Sequence, residues 1–271
     1  MTKTTPQILS RATTDAHPND GVPKRAIWDQ FIFFGDSITQ IDGNPELGFS
    51  CMSALRYDYV RRIDIVNRGF SGYNTANALS VLPRFFPPPQ EACVRLVKTL
   101  FFGANDASLP NTTGQHVPLE QYKLNYHKLL SHPSIIAHPD IKVLLITPPP
   151  IDEWQFDNWD EPGRSARKAV IAQAYARAVL EVGLESDTPV VDLWGECMRA
   201  IGWDGGEKLP GDRGVKKSAL SRLLYDGLHL SGEGYKVLYD EMRKVVAREY
   251  PELVPHKIPV ALEPFFPEWW Q

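Results

Sequence analysis

The sequence predicts an α/β protein of the three-layer α/β/α, flavodoxin-like type, built on a five-stranded parallel sheet. Short apolar runs that end at Gly or Pro recur along the chain, as is typical of strands buried on both faces of a sheet. Segments with apolar residues at helical spacing lie between these runs, and this alternation favours a parallel sheet with helices on both faces. The chain has 271 residues, of which 43% are hydrophobic, enough for one large core.

Five strands are predicted from runs of aromatic and β-branched residues. The first is the most distinct, because Phe31-Ile32-Phe33-Phe34 runs directly into Gly35 and a small polar turn. The predicted strands cover about 28–34, 63–66, 94–102, 141–147 and 189–193.

Helices are predicted where apolar residues recur at three- and four-residue spacing. Three consecutive prolines stop the helix that follows the second strand, and Ser231 is a favourable N-cap for the last helix. An aromatic and acidic insertion over 151–162, containing Trp154, Phe156 and Trp159, follows the fourth strand. The predicted helices cover about 47–61, 75–85, 119–131 and 163–184, with a short one ending near 201 and a last one ending near 250.

The chain is expected to divide into an N-terminal arm over 1–27, a core domain over 28–250 and a Pro- and aromatic-rich tail over 251–271. The tail carries Phe265, Phe266, Trp269 and Trp270, and burying each such ring contributes roughly 1.5–3 kcal/mol. We therefore expect the tail to dock, either on its own domain or on a second copy of the chain as a homodimer contact.

Composition excludes several classes of partner and cofactor. The formal net charge is −4 with acids and bases interspersed, so no basic stripe predicts nucleic acid binding. No run reaches the roughly 18 apolar residues of a membrane span, and the first residues lack the apolar stretch of a secretory signal, which predicts a cytoplasmic protein. The cysteines Cys51, Cys93 and Cys197 form no CxxC pair and are expected to be free thiols. Neither a metal nor another cofactor is predicted.

Polar residues cluster where the predicted strands end and where the last helix begins. Ser37 follows the first strand, Gly72 the second and Asn105 the third, and Asp226 and His229 precede the last helix. In open parallel sheets, ligands bind at this carboxyl edge. A serine hydroxyl needs a base to take its proton, a histidine suits that task, and a carboxylate can orient the imidazole.

Each of these residues also has a purely structural interpretation. Ser37 could simply cap the next helix, since serine is a favoured N-cap. Asn105 could satisfy backbone groups in a turn. A flavodoxin-like binding module without catalysis, with Ser37 at a phosphate-binding helix terminus, is the alternative from a different functional class. Such a module, however, needs no Asp-x-x-His loop.

The motifs resemble a known family when they are taken together. Gly35-Asp36-Ser37-Ile38, Gly72 after Asn67-Arg68-Gly69-Phe70-Ser71, Gly103-Ala104-Asn105-Asp106 and Asp226-Gly227-Leu228-His229 resemble, in order, the four blocks of the SGNH (GDSL-type) hydrolases. The chain is most similar to the isoamyl-acetate-hydrolysing esterases within that family. Ile38 stands where the family usually has Leu, which conserves side-chain volume.

The resemblance implies the SGNH-hydrolase fold, hydrolysis of carboxylic esters with short acyl chains such as acetate, and a role for each matching residue. Ser37 would be the nucleophile, His229 the base and Asp226 the carboxylate that orients it. Ser37, Gly72 and Asn105 would form the oxyanion hole. Thioesterase, lysophospholipase and acyltransferase activities on the same triad remain alternatives.

Aromatic residues near these motifs are candidates for substrate binding. Phe70 and Tyr73 lie on either side of Gly72 and are expected to line a pocket. Trp154 belongs to the insertion after the fourth strand and could form a wall of the same pocket. The alternative is that the aromatic residues of this insertion only cover the exposed end of the core.

Overall fold

A computed structural model of the chain describes residues 29–89, 97–159, 166–206, 208–215 and 218–260. The predicted arm over 1–27, the terminal aromatic residues of the tail and Cys93 lie outside the described residues. Residues 251–260 are described, and they pack on the domain. Tyr59 Oη donates to the carbonyl of Leu253 at 2.8 Å, and Arg62 Nε donates to that of Ile258 at 3.0 Å.

The predicted architecture is confirmed as a parallel sheet of five strands. The strands are β1 (Asp29–Gly35), β2 (Ile63–Gly69), β3 (Val97–Phe101), β4 (Lys142–Ile146) and β5 (Val190–Val191). Their order in the sheet is β2-β1-β3-β4-β5, so β2 forms one edge beside β1, and β3, β4 and β5 extend the sheet to the other edge.

Helices follow the strands along most of the chain. They are α1 (Ser37–Gln40), α2 (Cys51–Asp58), α3 (Thr75–Phe85), α4 (Leu119–Leu130), α5 (Pro133–Ile136), α6 (Glu153–Trp159), α7 (Ala169–Glu185), α8 (Leu193–Ala200) and α9 (Gly232–Glu249). Short 3₁₀ turns cover Pro45–Leu47, Ala219–Arg222, Pro251–Leu253 and Pro255–Lys257.

The sheet separates two apolar layers because successive side chains of a strand point to opposite faces. Phe31 and Phe33 of β1 pack on one face with side chains of α2, α8 and α9. Ile32 and Phe34 pack on the other face with side chains of α3, α4 and α7. All four are at most 2% exposed, which explains why the stretch of β1 from Phe31 to Phe34 has only apolar side chains.

Two predicted helices begin later than the sequence suggested. The prediction over 47–61 is wrong at its start, because Gly48 has a φ of +85° and Ser50 caps α2 through a bond from the Ser53 amide. The helix predicted over 163–184 begins at Ala169 within the described residues. Its cap comes from Glu153, whose Oε1 accepts from the Ala169 amide at 2.9 Å, so no local sequence signal marked this start.

Candidate active site

Ser37 lies where β1 turns into α1, at the carboxyl edge of the sheet. The side chain of Asp36 caps this turn by accepting a hydrogen bond from the Ile38 amide at 2.9 Å. Ser37 itself is not the N-cap, so its hydroxyl is not used to hold the turn. Its side chain is half-buried, with the hydroxyl directed at the loop before α9.

The imidazole of His229 connects Ser37 to Asp226. Its Nε2 lies 2.9 Å from Ser37 Oγ, and its Nδ1 lies 2.6 Å from Asp226 Oδ2. The other carboxylate oxygen of Asp226 accepts from the amides of Leu228 and His229 at 2.9 and 2.7 Å. Because the carboxylate can only accept, Nδ1 carries the hydrogen and Nε2 is left to accept from the serine hydroxyl. In this arrangement, His229 Nε2 can accept the proton of the Ser37 hydroxyl.

Backbone hydrogen bonds between its two ends and the stacking of Tyr225 on His229 fix the loop that carries Asp226 and His229. Leu224 and Leu230 form an antiparallel bridge, and the Tyr225 amide donates to the His229 carbonyl at 3.0 Å. The Tyr225 ring stacks on the imidazole with a centroid distance of 5.7 Å and an interplanar angle of 20°.

Helix α6 and Asp152, the residue before it, support this loop. The Asp152 amide donates to the Gly227 carbonyl at 2.9 Å, and Gln155 Nε2 donates to the Leu224 carbonyl at 2.9 Å. Gly227 has a φ of +88°, and a Cβ there would lie 2.5 Å from the Phe156 amide nitrogen. The aromatic insertion therefore braces the Asp226–His229 loop, a role that the sequence did not suggest.

Gly72 and Asn105 follow β2 and β3 and face the same edge. Gly72 has a φ of +80°, which favours glycine at this turn. Asn105 is 4% exposed, and its Nδ2 donates one hydrogen to the Tyr73 carbonyl at 2.9 Å. An amide nitrogen has two hydrogens, so the second remains for another acceptor.

Burial and hydrogen bonding shift the pKa of the carboxyl groups in opposite directions across the site. Burial raises the pKa of Asp36 to about 6 and that of Asp106, which accepts from Thr75, to about 7. Burial also acts to raise the pKa of Asp226, but hydrogen bonds from His229 and two amides outweigh it and leave that pKa lowered. Asp226 therefore stays ionised at neutral pH.

The three aromatic residues predicted to bind substrate lie in different surroundings. Phe70 stacks on Tyr73 at 5.2 Å between centroids and also packs edge-on against Phe34 of the core. Trp154 is 39% exposed on α6. Tyr73 contributes to the site through its backbone, because its carbonyl accepts the Asn105 side chain.

A small apolar cleft borders the site. Two of its lining residues adjoin the site in sequence, Ala104 before Asn105 and Leu228 before His229. The lining among the described residues is Ala104, Ala107, Pro148, Pro149, Ile151, Arg167, Lys168, Ala172 and Leu228.

Two polar residues that sequence reasoning missed, Arg167 and Gln115, contact this edge. Arg167 Nη2 donates to Asn105 Oδ1 at 3.1 Å, and Gln115 Nε2 donates to the Gly72 carbonyl at 3.0 Å. Arg167 lies in a polar stretch before α7 whose sequence is typical of an exposed segment, and Gln115 lies in an irregular loop. No local pattern distinguished either residue.

The described residues contain no group of three or more His, Cys, Asp or Glu side chains arranged to hold a metal ion. Cys51 and Cys197 are buried free thiols. No helix in the described part of the chain combines the length and apolarity needed to cross a membrane.

Comparisons with known proteins agree with the motifs. The model of the GDSL-like Lipase/Acylhydrolase family matches residues 33–237. A human isoamyl acetate-hydrolyzing esterase 1 homolog is 32% identical over 236 residues, covering 86% of this chain and 87% of the relative. A GDSL esterase/lipase of Arabidopsis thaliana is 36% identical over 231 residues, covering 81% and 86%.

A yeast protein and a bacterial structure extend the comparison. The isoamyl acetate-hydrolyzing esterase of Saccharomyces cerevisiae is 30% identical over 250 residues, covering 87% of this chain and 93% of the relative. The crystal structure of a lipase/acylhydrolase from Enterococcus faecalis superposes with a TM-score of 0.56 at 23% identity, covering 81% and 96%. At that identity the superposition supports the fold alone.

Proposed function

Because the chain belongs to the GDSL-like lipase/acylhydrolase family and is a carboxylic ester hydrolase, we propose that it works through an acyl-enzyme on Ser37. His229 is the general base and Asp226 the carboxylate that orients it. The observation that carries this proposal is the pair of hydrogen bonds, 2.6 and 2.9 Å long, that links Asp226 to His229 and His229 to Ser37.

In the acylation step, Ser37 Oγ attacks the ester carbonyl while its proton passes to His229 Nε2. The imidazolium that forms is stabilised by Asp226, which stays ionised because its pKa is lowered. When the tetrahedral intermediate collapses, the bond to the alcohol oxygen breaks, and His229 returns the proton to that oxygen.

Deacylation repeats these steps with water as the nucleophile. His229 takes a proton from water, and the resulting hydroxyl attacks the acyl carbon. The proton then returns to Ser37 Oγ as the acid leaves. In both steps the carbonyl oxygen becomes negative, and the amides of Ser37 and Gly72 with the free Asn105 amide hydrogen are the donors proposed to stabilise it.

Short, uncharged esters are the proposed substrates. The human and yeast relatives, at 32% and 30% identity, carry names that specify isoamyl acetate, in which the acyl group has two carbons. The apolar cleft beside the site supports the same assignment, because an apolar lining suits an uncharged acyl or alcohol group. Most of its lining is Ala, Pro, Ile and Leu.

Labelling with a fluorophosphonate tests the covalent step. We expect one phosphonyl adduct, mapped by mass spectrometry to the peptide that contains Ser37, and loss of activity in proportion to labelling. The exposed Ser53 on α2 gives a matched control, since Ser53→Ala should label as the wild type does. An adduct elsewhere, or full labelling of Ser37→Ala, would overturn the assignment.

A panel of substrates tests the proposed specificity. We expect kcat/KM to be highest for acetate and butyrate esters and to fall for acyl chains longer than the cleft can hold. Ala172→Val narrows the cleft and should lower rates on the longer esters more than on acetate, whereas Ala174→Val on the same helix should not. A preference for thioesters, lysophospholipids or acyl transfer to an alcohol would replace the proposed substrate class by that alternative.

A further inference from the structure

Arg167 has a buried guanidinium that lies next to Ala104 and Asn105, at the carboxyl edge of the sheet. The residue is 5% exposed and lies just before α7. Its Nη1 donates to the Ala104 carbonyl, and its Nη2 donates to Asn105 Oδ1 at 3.1 Å and to Gln115 Oε1 at 3.4 Å. Its Cζ lies over the Phe156 ring, 5.8 Å from the centroid. A buried charge is costly, so a set of contacts this specific indicates a role.

The contacts of Arg167 determine which way the Asn105 side chain points. The oxygen of the carboxamide faces the guanidinium, which can only donate, and the nitrogen faces the Tyr73 carbonyl, which can only accept. Rotating the amide by 180° would oppose donor to donor and acceptor to acceptor. The Asn105 side chain therefore offers the second hydrogen of its Nδ2, and not its Oδ1, to any further partner.

The same guanidinium connects to the second donor through Gln115. Gln115 Oε1 accepts from Arg167, and Gln115 Nε2 donates to the Gly72 carbonyl at 3.0 Å. The backbone carbonyl of Gln115 in turn accepts from Asn74 Nδ2 at 2.8 Å. Reversing the Gln115 amide is disfavoured for the same reason as at Asn105. The turn at Gly72 is thus tied to the charge that orients Asn105.

We propose that Arg167 is a positioning residue that fixes the relative positions of the Asn105 and Gly72 donors of the oxyanion hole. It contacts Asn105 directly and Gly72 through Gln115. This inference rests on the proposed function, which assigns those donors. The guanidinium donates hydrogen bonds to Ala104, Asn105 and Gln115. It acts by orienting the Asn105 amide and by polarising it, since a charged donor on the carbonyl oxygen strengthens the hydrogen bond that the amide nitrogen donates.

The first experiment is a double-mutant cycle on steady-state kinetics with a short acetate ester. Arg167→Met is expected to lower kcat about 10- to 1,000-fold with KM changed less than about threefold, because the donors matter most in the transition state. In an Asn105→Ala background the same change should cost less than about tenfold, because its main target is gone. Losses that multiply in full would show that Arg167 acts independently and would overturn the proposal.

Matched variants separate positioning from general stability. Arg177→Met removes an exposed arginine of α7 and should leave kcat unchanged. Guanidinium added at millimolar concentration should restore part of the activity of Arg167→Ala, whereas methylammonium, which lacks the planar fork, should not. Rescue by both cations equally would mean that only the charge matters, and the orienting role would be wrong.

Gln115→Ala tests the Gly72 connection without removing a buried charge. We expect kcat to fall about tenfold at constant KM, less than the roughly 10²- to 10³-fold loss for deletion of one oxyanion donor, because the Gly72 amide is loosened and not deleted. Should Arg167→Met fail to fold, this variant decides alone, and an unchanged kcat would overturn the proposal.

A crystal structure of Arg167→Met gives a readout that does not depend on activity. A rotated or disordered Asn105 carboxamide supports positioning, and an unchanged one refutes it. If the wild type itself showed no turnover that depends on Ser37, the proposed function would fail. The orientation of Asn105 would still be measured in that case.

Discussion

The two sides of the active site are built in different ways. Ser37, Gly72 and Asn105 follow β1, β2 and β3, three adjacent strands of the sheet, and their relative positions follow from strand register. Gly35 pairs with Gly69 on one side and with Phe101 on the other, and the Phe70 amide donates to the Gly35 carbonyl at 2.9 Å. We call these three residues the sheet side.

Asp226 and His229 belong to a loop that follows no strand of the sheet, and we call this the loop side. Its position depends on packing against α6, through Asp152, Gln155 and Phe156, and on the stacking of Tyr225. The comparison teaches that regular backbone pairing positions the nucleophile and donors, whereas contacts between irregular segments position the base. Perturbing each side should therefore have different consequences.

The largest effect is expected on the sheet side, at the nucleophile. Ser37→Ala should lower kcat by about 10⁶-fold, because no hydroxyl remains to form the acyl-enzyme. The hydroxyl is not used as a helix cap, so the unfolding temperature should change little. Adding His229→Ala should cost almost nothing more, because the two residues act as a unit. Residual activity near that of the wild type would exclude Ser37 as nucleophile.

The next largest effect is expected on the loop side, at Asp226→Asn. The asparagine oxygen can still accept from the amides of Leu228 and His229, so the loop should stay in place. Its amide nitrogen, however, would face Nδ1 and favour the tautomer that cannot accept from Ser37. We expect kcat to fall about 10⁴-fold with the circular dichroism spectrum unchanged. A loss below tenfold would mean that Asp226 does not orient the imidazole.

The carboxyl groups of the two sides should affect stability with opposite pH dependence. Next to Asn105 of the sheet side, the raised pKa of Asp106, about 7, means that the folded protein binds a proton more tightly than the unfolded chain. Its contribution to stability is then fully present below about pH 4 and lost as pH rises through about 7. On the loop side, Asp226 has a lowered pKa, so its contribution is present above about pH 4 and lost in acid.

Urea unfolding at pH 4 to 8 measures this difference. Asp106→Asn keeps the oxygen that accepts from Thr75 but no longer titrates. We expect the free energy of unfolding of the wild type to decline relative to this variant as pH rises, by on the order of 2–4 kcal/mol over the range. Parallel curves for the two proteins would show that Asp106 does not bind a proton more tightly in the fold.

The comparison also separates what the sequence could predict from what it could not. On the sheet side, the apolar run Phe31–Phe34 and the Gly-rich turns located each residue, because strand ends and tight turns leave local signals. On the loop side, the three-residue spacing of Asp226 and His229 located the pair, but nothing indicated the support from α6. The start of α7 was misplaced for a similar reason, since Glu153 caps it from a distant segment.

Arg167 and Gln115 illustrate the same limit within the site. Their contacts span separations of 62 residues, from Arg167 to Asn105, and 43 residues, from Gln115 to Gly72. Propensity and periodicity describe local backbone, so they carry no information about such contacts. Residues that touch the reacting atoms were found because their motifs are local, whereas residues that position them became visible only with the fold.

The smallest effect tests directly whether packing against α6 holds the loop side. Gly227→Ala adds a Cβ at a φ of +88°, 2.5 Å from the Phe156 amide nitrogen and 2.6 Å from the Asp152 carbonyl oxygen. Gly205→Ala has a similar φ of +96° but no atom within 4 Å of the new Cβ, so it isolates the backbone strain from the clash. We expect Gly205→Ala to lower the free energy of unfolding by about 1 kcal/mol, and Gly227→Ala to lower it by about 1–3 kcal/mol more. Only Gly227→Ala should also reduce kcat, because α6 and the loop must separate to admit the methyl group and the imidazole moves with the loop. Equal losses of stability and full activity in both variants would mean that the loop keeps its position without α6, and that the chain between Leu224 and Leu230 alone holds the base in place.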